Sequence, residues 1–414
     1  MDRNIRLIGF ASGIRATGAS MVYPFIALYL RKILGIPYAE IGLLIVLVGV
    51  APLIVSSAGG LLTDRAGRRR VILIALAVES VSVLLIGYNM LVSSLPGIMI
   101  FAAGASLAGS ISGPAVSAYV ADMAEGSNRS LAYTWLRIGS NAGFTVGVGL
   151  GGFLIGFLGF PQVGLLSGSI LAVGVLVLLA MLAPSTYDIA MKQPRQPRSP
   201  GTEASEGPGT VRESFGILAK DTRFLIFCLA SLIGALVYNQ WSSTFPLFLN
   251  TVEGVPYWLL GLVLALNGAI VIFGQTAMTK LMIGRKHTTA AVFGLVLFAF
   301  AFVALGAFSL LGFGVLVAGI VFVVLLTVGE NLGAIPMMTL PSNLAPKTER
   351  GSYNGAFNTL SGIGGVFAPL AGGLALSASS NPLLVWGTLA IPAVPAVAIF
   401  LWVGRKIPAA ANTV

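Results

Sequence analysis

Residues 59–70 read GGLLTDRAGRRR, a run that gathers five charges between two long apolar stretches carrying almost none. The composition around it sharpens the contrast: 56% of the 414 residues are hydrophobic and 9% are charged, where soluble domains carry roughly 25% charged residues. Such a chain cannot cover its own apolar surface in water. Its hydrophobic residues arrive in blocks of about 20 to 27, each long enough at ~1.5 Å per residue to cross a hydrocarbon core of ~30 Å. Twelve blocks can be marked, at 6–30, 39–63, 70–91, 96–120, 131–157, 161–183, 223–250, 257–281, 289–310, 312–337, 352–377 and 382–404. The charged run closes the second and opens the third.

The formal net charge of +10 is sorted by loop. With successive loops on alternate sides, 20 of the 24 lysines and arginines fall on one side and only Arg31 and Lys32 in loops on the other. That asymmetry is the positive-inside pattern, so a multi-pass protein of the cell membrane with both termini in the cytoplasm is expected, surrounded by lipid and monomeric. No basic face interleaved with aromatics is left over, and nucleic acid is excluded as a partner. The opening MDRNIRLIGFASGIRATG runs into a full-length span without the short apolar core of a cleavable leader, so the first helix is expected to be retained. The single cysteine, Cys228, forbids an intrachain disulfide and reads as packing.

Between the sixth and seventh spans, PSTYDIAMKQPRQPRSPGTEASEGPGTVRES holds too many Pro, Gly, Ser and charged residues to bury an apolar face, and reads as a linker without order of its own over 184–222. It separates an N-terminal six-helix bundle, 1–183, from a C-terminal one, 223–414. The bundles are related. ADMAEGSNRSLAYTWLRIGSNAGFTVGVGLGG lies without gaps over SNLAPKTERGSYNGAFNTLSGIGGVFAPLAGG, matching Arg129 to Arg350, Gly143 to Gly364, and Gly151 and Gly152 to Gly372 and Gly373. YPFIALYL faces FPLFLN through Pro24 and Pro246, and GIPYAEIGLL faces GVPYWLLGLV. Six plus six spans in parallel repeat imply an all-α carrier whose halves rock about a site near the midplane.

GGLLTDRAGRRR resembles the signature of the major facilitator superfamily, G-x-L-x-D-R-x-G-R-[KR], through Gly60, Leu62, Asp64, Arg65, Gly67, Arg68 and Arg69. With the twelve spans and the linker, the resemblance covers the whole chain. It implies a conformational latch. Gly60 permits close helix approach, Gly67 permits a turn, and Asp64 sits against the amide-rich start of the eleventh helix only when the cytoplasmic side is shut. Arg65 and Arg68 hold the loop, with Arg68 expected to pair with Asp122 at the end of the fourth helix, and Arg129 belongs to the matching 4–5 connection. The second half keeps only TKLMIGRK, with Leu281 where Asp64 would stand. Helix 5, GSNAGFTVGVGLGG, is similar to the G-x-x-x-G-P-x-x-G-G pattern of the drug:proton antiporters, but Val148 replaces the proline and leaves antiport in doubt. Small-residue packing explains these glycines equally well.

Four ionisable residues fall inside spans: Arg15, Glu79, Arg137 and Glu330. Unpaired, each costs about 2.5 to 3.5 kcal/mol on insertion scales, so they must face each other, polar groups or water. Which of them pair is open from the sequence. Glu330, beside Asn331 on helix 10, is the first candidate for proton coupling, with a permanent ion pair to Arg137 as the alternative. Glu79, on a peripheral helix, is the second. Arg15 is either architectural or an anion hook, since a desolvated guanidinium offers a planar donor fork. Helix 7 contributes Tyr238, Asn239, Gln240 and Trp241 from VYNQWSSTFP, a polar insertion that should break or wet the helix. Tyr23 and Asn267 complete the candidate substrate cavity.

These features imply a secondary active transporter, with proton-coupled efflux of small amphipathic organic compounds preferred. A proton-linked transporter of an organic anion is the alternative, and a non-transporting receptor or scaffold on a carrier fold is the second. There is no nucleotide loop or metal cluster, so neither enzyme activity, cofactor nor metal is expected. The one histidine, His287, falls in a loop where solvation is the default.

Overall fold

The structure, a computed structural model, describes residues 3–124, 128–192, 218–346 and 349–413; side chains at 54, 56–61, 64, 128–130 and 190–192 lie outside the description. The N-terminal helices are α1 (Arg3–Lys32), α2 (Tyr38–Ala66), α3 (Arg68–Leu91), α4 (Leu95–Met123), α5 (Asn128–Leu158) and α6 (Phe160–Met181), followed by a short α7 (Thr186–Lys192). The C-terminal helices are α8 (Thr222–Tyr238), α9 (Gln240–Leu247), α10 (Tyr257–Met282), α11 (His287–Leu311), α12 (Val315–Leu344), α13 (Arg350–Ala378), α14 (Pro382–Ala390), α15 (Ala393–Lys406) and a terminal turn α16 (Ala409–Asn412). Counting α8 with α9, and α14 with α15, as single interrupted spans gives twelve. Ten of these are long and apolar enough to cross a membrane among the described residues.

Two interruptions have local causes. At Asn239 the backbone leaves helical register, and its freed carbonyl accepts from Ser242 Oγ at 3.2 Å and Ser243 Oγ at 2.9 Å. The side chains of the polar insertion thus satisfy the break they create. A five-residue π-turn, Phe248–Val252, follows Pro246, whose missing N–H removes a rung of the ladder. The last span breaks at Ile391 and Pro392 for the same reason.

Within each half, paired glycines set the packing. Gly143 lies against the main chain of Gly13 on α1, and its repeat partner Gly364 against the main chain of Leu232 on α8. The double glycines divide their work. Gly151 packs on Met21 of α1 and Gly372 on Thr244 and Gln240 of α9, inside their own halves, whereas Gly152 meets Gly261 on α10 and Gly373 meets Tyr38 on α2, across the two halves. One glycine of each pair therefore builds a bundle and the next closes the bundles onto each other.

The extensive bridges between halves are α5 on α10 and α2 on α13. At the end opposite the chain termini α2 is also tied by hydrogen bonds to the other half: Tyr38 Oη and Thr251 Oγ1 lie 2.8 Å apart and Ala39 N donates to Ser377 Oγ at 3.2 Å. An added Cβ at Gly152 would stand 2.7 Å from Gly261 Cα, a backbone atom that no rotamer change can move. Gly152→Ala is therefore expected to destabilise the detergent-solubilised protein by about 1–3 kcal/mol. Gly149→Ala, whose Cβ would meet Ala265 Cβ at an ordinary 3.7 Å, should leave the unfolding midpoint unchanged.

The linker reading needs correction at its start. Residues 184–192 are ordered, with α7 folded back onto α3 and α4, while 193–217 lie outside the described residues. The reason is a reciprocal cap: Asp188 N donates to Ser185 Oγ at 3.1 Å and Ser185 N donates to Asp188 Oδ2 at 2.9 Å. Helix α12 also runs on to Leu344, seven residues beyond the apolar block that marks it, through Pro341.

Candidate functional site

Breaking α8 from α9 exposes the polar insertion to a space between the halves. There α1, α2, α8, α9 and α13 enclose a cavity of about 570 Å³ lined by Tyr23, Asn239, Ser242, Ser243, Asn358 and Ser361, among others. A second cavity of about 310 Å³ shares Ala235 and Ser361 with the first and continues into the C-terminal bundle, past Tyr238 and Phe298, to Glu330. Its wall is otherwise almost wholly apolar. Tyr238 packs on Phe298 with ring centroids 5.5 Å apart, and Trp241 bridges Tyr238 to Phe144 of the other half. Together the two cavities have the size and the sparse polar lining of a small-molecule site.

Glu330 is held by two neutral groups, Asn267 and Tyr238. Asn267 Nδ2 on α10 donates to Glu330 Oε2 at 2.9 Å and to Thr327 Oγ1 at 3.0 Å. No ion pair reaches this carboxylate among the described residues, and the alternative pairing with Arg137 is not formed: Arg137 Nη1 points to Met338 Sδ at 3.6 Å. Asn331 turns away from the cavity toward Gly274, 1% exposed, with neither side-chain atom partnered.

Arg15 and Glu79 pair with each other. Nε and Nη2 of Arg15 meet the two carboxylate oxygens of Glu79 at 2.6 and 2.9 Å, a fork-to-fork contact across α1 and α3. Glu79 is 1% exposed, whereas the Arg15 side chain keeps 37% exposure toward a separate cavity of about 220 Å³ inside the N-terminal bundle. Tyr23 lines the central cavity with a buried hydroxyl that has no partner. Gln240 and Trp241 do not face the space as expected. Gln240 is 1% exposed and donates to Ala368 O at 3.0 Å while accepting from Thr244.

At the loop that opened the sequence reading, Gly67 has φ +91°, and a Cβ there would press on Asp188 Oδ1 at 2.7 Å. Glycine is required twice over. Arg68 Nε lies 3.2 Å from Asp122 Oδ2, and its guanidinium stacks 3.8 Å from the Tyr187 ring. Arg69 donates to Leu182 O and Leu179 O at 2.6 and 2.9 Å, capping the end of α6. Gly60, and the side chains of Asp64 and Arg129, lie outside the description. His287 departs from its expected solvation: it is 3% exposed at the start of α11, with ring nitrogens 3.3 and 3.4 Å from Thr339 Oγ1.

Sequence reading missed Asp188, the residue that joins α7 to this loop. Its carboxylate accepts from Arg68 N at 2.6 Å and Arg69 N at 3.1 Å, neutralising the amide-rich start of α3. The signal was available as the Ser-x-x-Asp capping spacing of Ser185 and Asp188 inside the linker. Asp188→Ala removes charge-assisted bonds from three main-chain donors, Arg68 N, Arg69 N and Ser185 N, and is expected to cost about 1.5–3 kcal/mol in unfolding free energy. Limited proteolysis at the α6–α7 junction should accelerate in parallel.

Comparison with known proteins gives the following matches. The sequence profile described as Major Facilitator Superfamily matches residues 8–369 and 283–413. The chain is 26% identical over 385 residues to the Na(+), Li(+), K(+)/H(+) antiporter of Planococcus maritimus, covering 89% of this chain and 88% of that one. It is 29% identical over 156 residues to the quinolone resistance protein NorA of Staphylococcus aureus, covering 37% of this chain and 39% of NorA. The fold superposes on the crystal structure of a bacterial homologue of the human lysosomal transporter Spinster, in an inward-facing and unoccupied conformation, with a TM-score of 0.69 at 15% identity and 98% coverage of both chains.

Proposed function

This chain belongs to the major facilitator superfamily, and from that premise we propose that it exports small amphipathic organic compounds across the cell membrane in exchange for protons. It is a multi-pass membrane transporter and not an enzyme. In the proposed cycle the halves 1–183 and 223–414 rock about the central cavity, with the linker 184–222 and both termini in the cytoplasm. With that orientation, the hydrogen bonds of Tyr38 and Ala39 fall at the outer end, and the reading takes this as the inward-open state of the cycle.

Glu330 carries the reading. A carboxyl whose hydrogen-bond partners, Asn267 and Tyr238, are neutral, at the end of an apolar cavity and with Arg137 near it but not ion-paired, is not locked in its ionised form. It can take a proton when the cavity admits one and surrender it when a cationic or amphipathic solute occupies the same space. Glu79, by contrast, is clamped by Arg15 and is assigned to architecture. The same clamp occupies both donor edges of the Arg15 fork and weighs against an anion hook. A second reading is favoured by the relative described as a Na(+), Li(+), K(+)/H(+) antiporter: an inorganic monovalent cation as the exported solute.

The test is a pH-sensitive dye inside proteoliposomes. Ethidium, sodium chloride and sodium benzoate are added in turn, beside Glu330→Gln protein. Proton movement with ethidium supports the proposal. A response to sodium chloride alone supports the second reading. Benzoate uptake dependent on Arg15 would revive an organic-anion carrier, and ethidium binding without movement would mark a receptor.

A further inference from the structure

A cavity that the transport cycle does not use lies at the termini end of the N-terminal half. It has a volume of about 260 Å³ and is bounded by the end of α2, the start of α3 and the α6–α7 connection. Arg65, Arg69 and Arg70 stand on its wall with a single carboxylate, Asp188. That carboxylate is already engaged, accepting from Arg68 N, Arg69 N and Ser185 N. Arg69 is tied to the carbonyls at the end of α6, whereas Arg65 and Arg70 are exposed and make no hydrogen bond or ion pair with another described residue. Two guanidinium groups with uncommitted donors, beside a third that adds charge, suit an anion with several acceptor oxygens. Phosphate is the group that the planar donor fork of arginine fits.

The place of the cavity favours a lipid over a free ion. Arg70 is in the first turn of α3, at the edge of the apolar block 70–91, which is headgroup depth for a membrane span. From Arg70 the same face of α3 runs on through Ile74, Val78 and Val81, at helical spacing and all exposed. Helix α6 packs along α3 and exposes Leu176 and Leu179, the second of which holds Arg69 through its carbonyl. The main neighbours of both helices belong to the N-terminal half, so this apolar surface faces the bilayer and not the central cavity. Acyl chains can lie along it while a phosphate occupies the cavity. A soluble phosphate gains only the second contact.

We infer that this cavity is a binding site for the headgroup of an anionic glycerophospholipid, its phosphate held by Arg65 and Arg70 with Arg69 adding charge, and its acyl chains on the exposed faces of α3 and α6. The charge of the wall also chooses among lipids. With three arginines to one aspartate, a headgroup that carries its own ammonium sets a cation among cations, and one without an amine does not. The bound phosphate joins the last turn of α2 to the first turn of α3. The site is independent of what the protein exports, and requires only that residues 65–70 lie at a membrane face.

The experiment titrates full-length protein in detergent with dioleoyl phosphatidylglycerol or dioleoyl phosphatidylcholine and counts bound lipid by native mass spectrometry. The parent should bind the phosphatidylglycerol about tenfold or more tightly than the phosphatidylcholine, which shares its phosphate and chains. Arg65→Gln/Arg70→Gln should abolish that preference. Arg65→Lys/Arg70→Lys, which keeps both charges, should retain most of it, so that loss of the site is told from misfolding of the glutamine variant. Lys280→Gln/Arg285→Gln removes two charges from the termini end of the other half and should leave the preference intact. Equal binding of the two lipids by the parent overturns the proposal, as does a preference that survives Arg65→Gln/Arg70→Gln. An equal loss in Lys280→Gln/Arg285→Gln would show diffuse attraction and no site. Displacement of phosphatidylglycerol by millimolar inorganic phosphate would reduce the cavity to a site for the free ion, and refute the lipid.

Discussion

Glu330→Gln is expected to lower solute-coupled proton movement by about two orders of magnitude or more, while solute-for-solute exchange across the same liposomes persists. Glutamine keeps the length of the side chain and an oxygen that can still accept from Asn267 Nδ2, so the wall of the cavity keeps its shape. What it loses is the exchangeable proton. Exchange of labelled for unlabelled ethidium needs the halves to rock with solute bound but needs no net proton transfer, and it therefore separates coupling from folding and binding. Glu79→Gln is the control. Its carboxylate is locked to Arg15 at 2.6 Å, and coupling should survive its replacement. Loss of exchange together with coupling in Glu330→Gln would mean that the residue supports the cavity and not the proton.

The second large effect concerns stability. Arg15→Met leaves the Glu79 carboxylate, 1% exposed, without its countercharge between α1 and α3, and removing one partner of a buried pair costs about 3–5 kcal/mol. The reverse change is milder. With Glu79→Gln, the Arg15 guanidinium keeps the 37% of its side-chain surface that opens to the N-terminal cavity, where water can solvate it. The double variant Arg15→Met/Glu79→Gln should recover most of the lost stability, because no charge is then left buried. Unfolding midpoints of the three proteins in detergent are expected in the order Arg15→Met lowest, Glu79→Gln intermediate, and the double variant above Arg15→Met. Equal losses for the two single changes would show that Arg15 is as desolvated as its partner.

Much of the candidate site could be read one helix at a time. The polar run Tyr238 to Thr244 announced a break, and the chain breaks at Asn239. Glycine at 67 announced a turn, and the backbone there has φ +91°. What failed were statements about partners. Gln240 belongs to the same polar run as Asn239 but points into α13, because adjacent residues on a helix stand about 100° apart and only one of them can face the cavity. His287 looked solvated because it falls in a loop by sequence, yet it stands at the start of α11, whose packing on α12 buries it against Thr339. Asp188 was hidden by the composition of the linker around it.

The amino-acid sequence alone determined the twelve spans, the loop charges and the duplicated six-helix plan, because each is written in the length, charge and glycine spacing of contiguous segments. Tertiary structure alone decided that Arg15 takes Glu79, that Glu330 takes Asn267 and Tyr238, and that Asp188 clasps the start of α3. Those choices depend on how each helix is rotated and how deep it sits against neighbours distant in the chain. A shift of one residue would turn a side chain to another face, and no segment carries that information by itself.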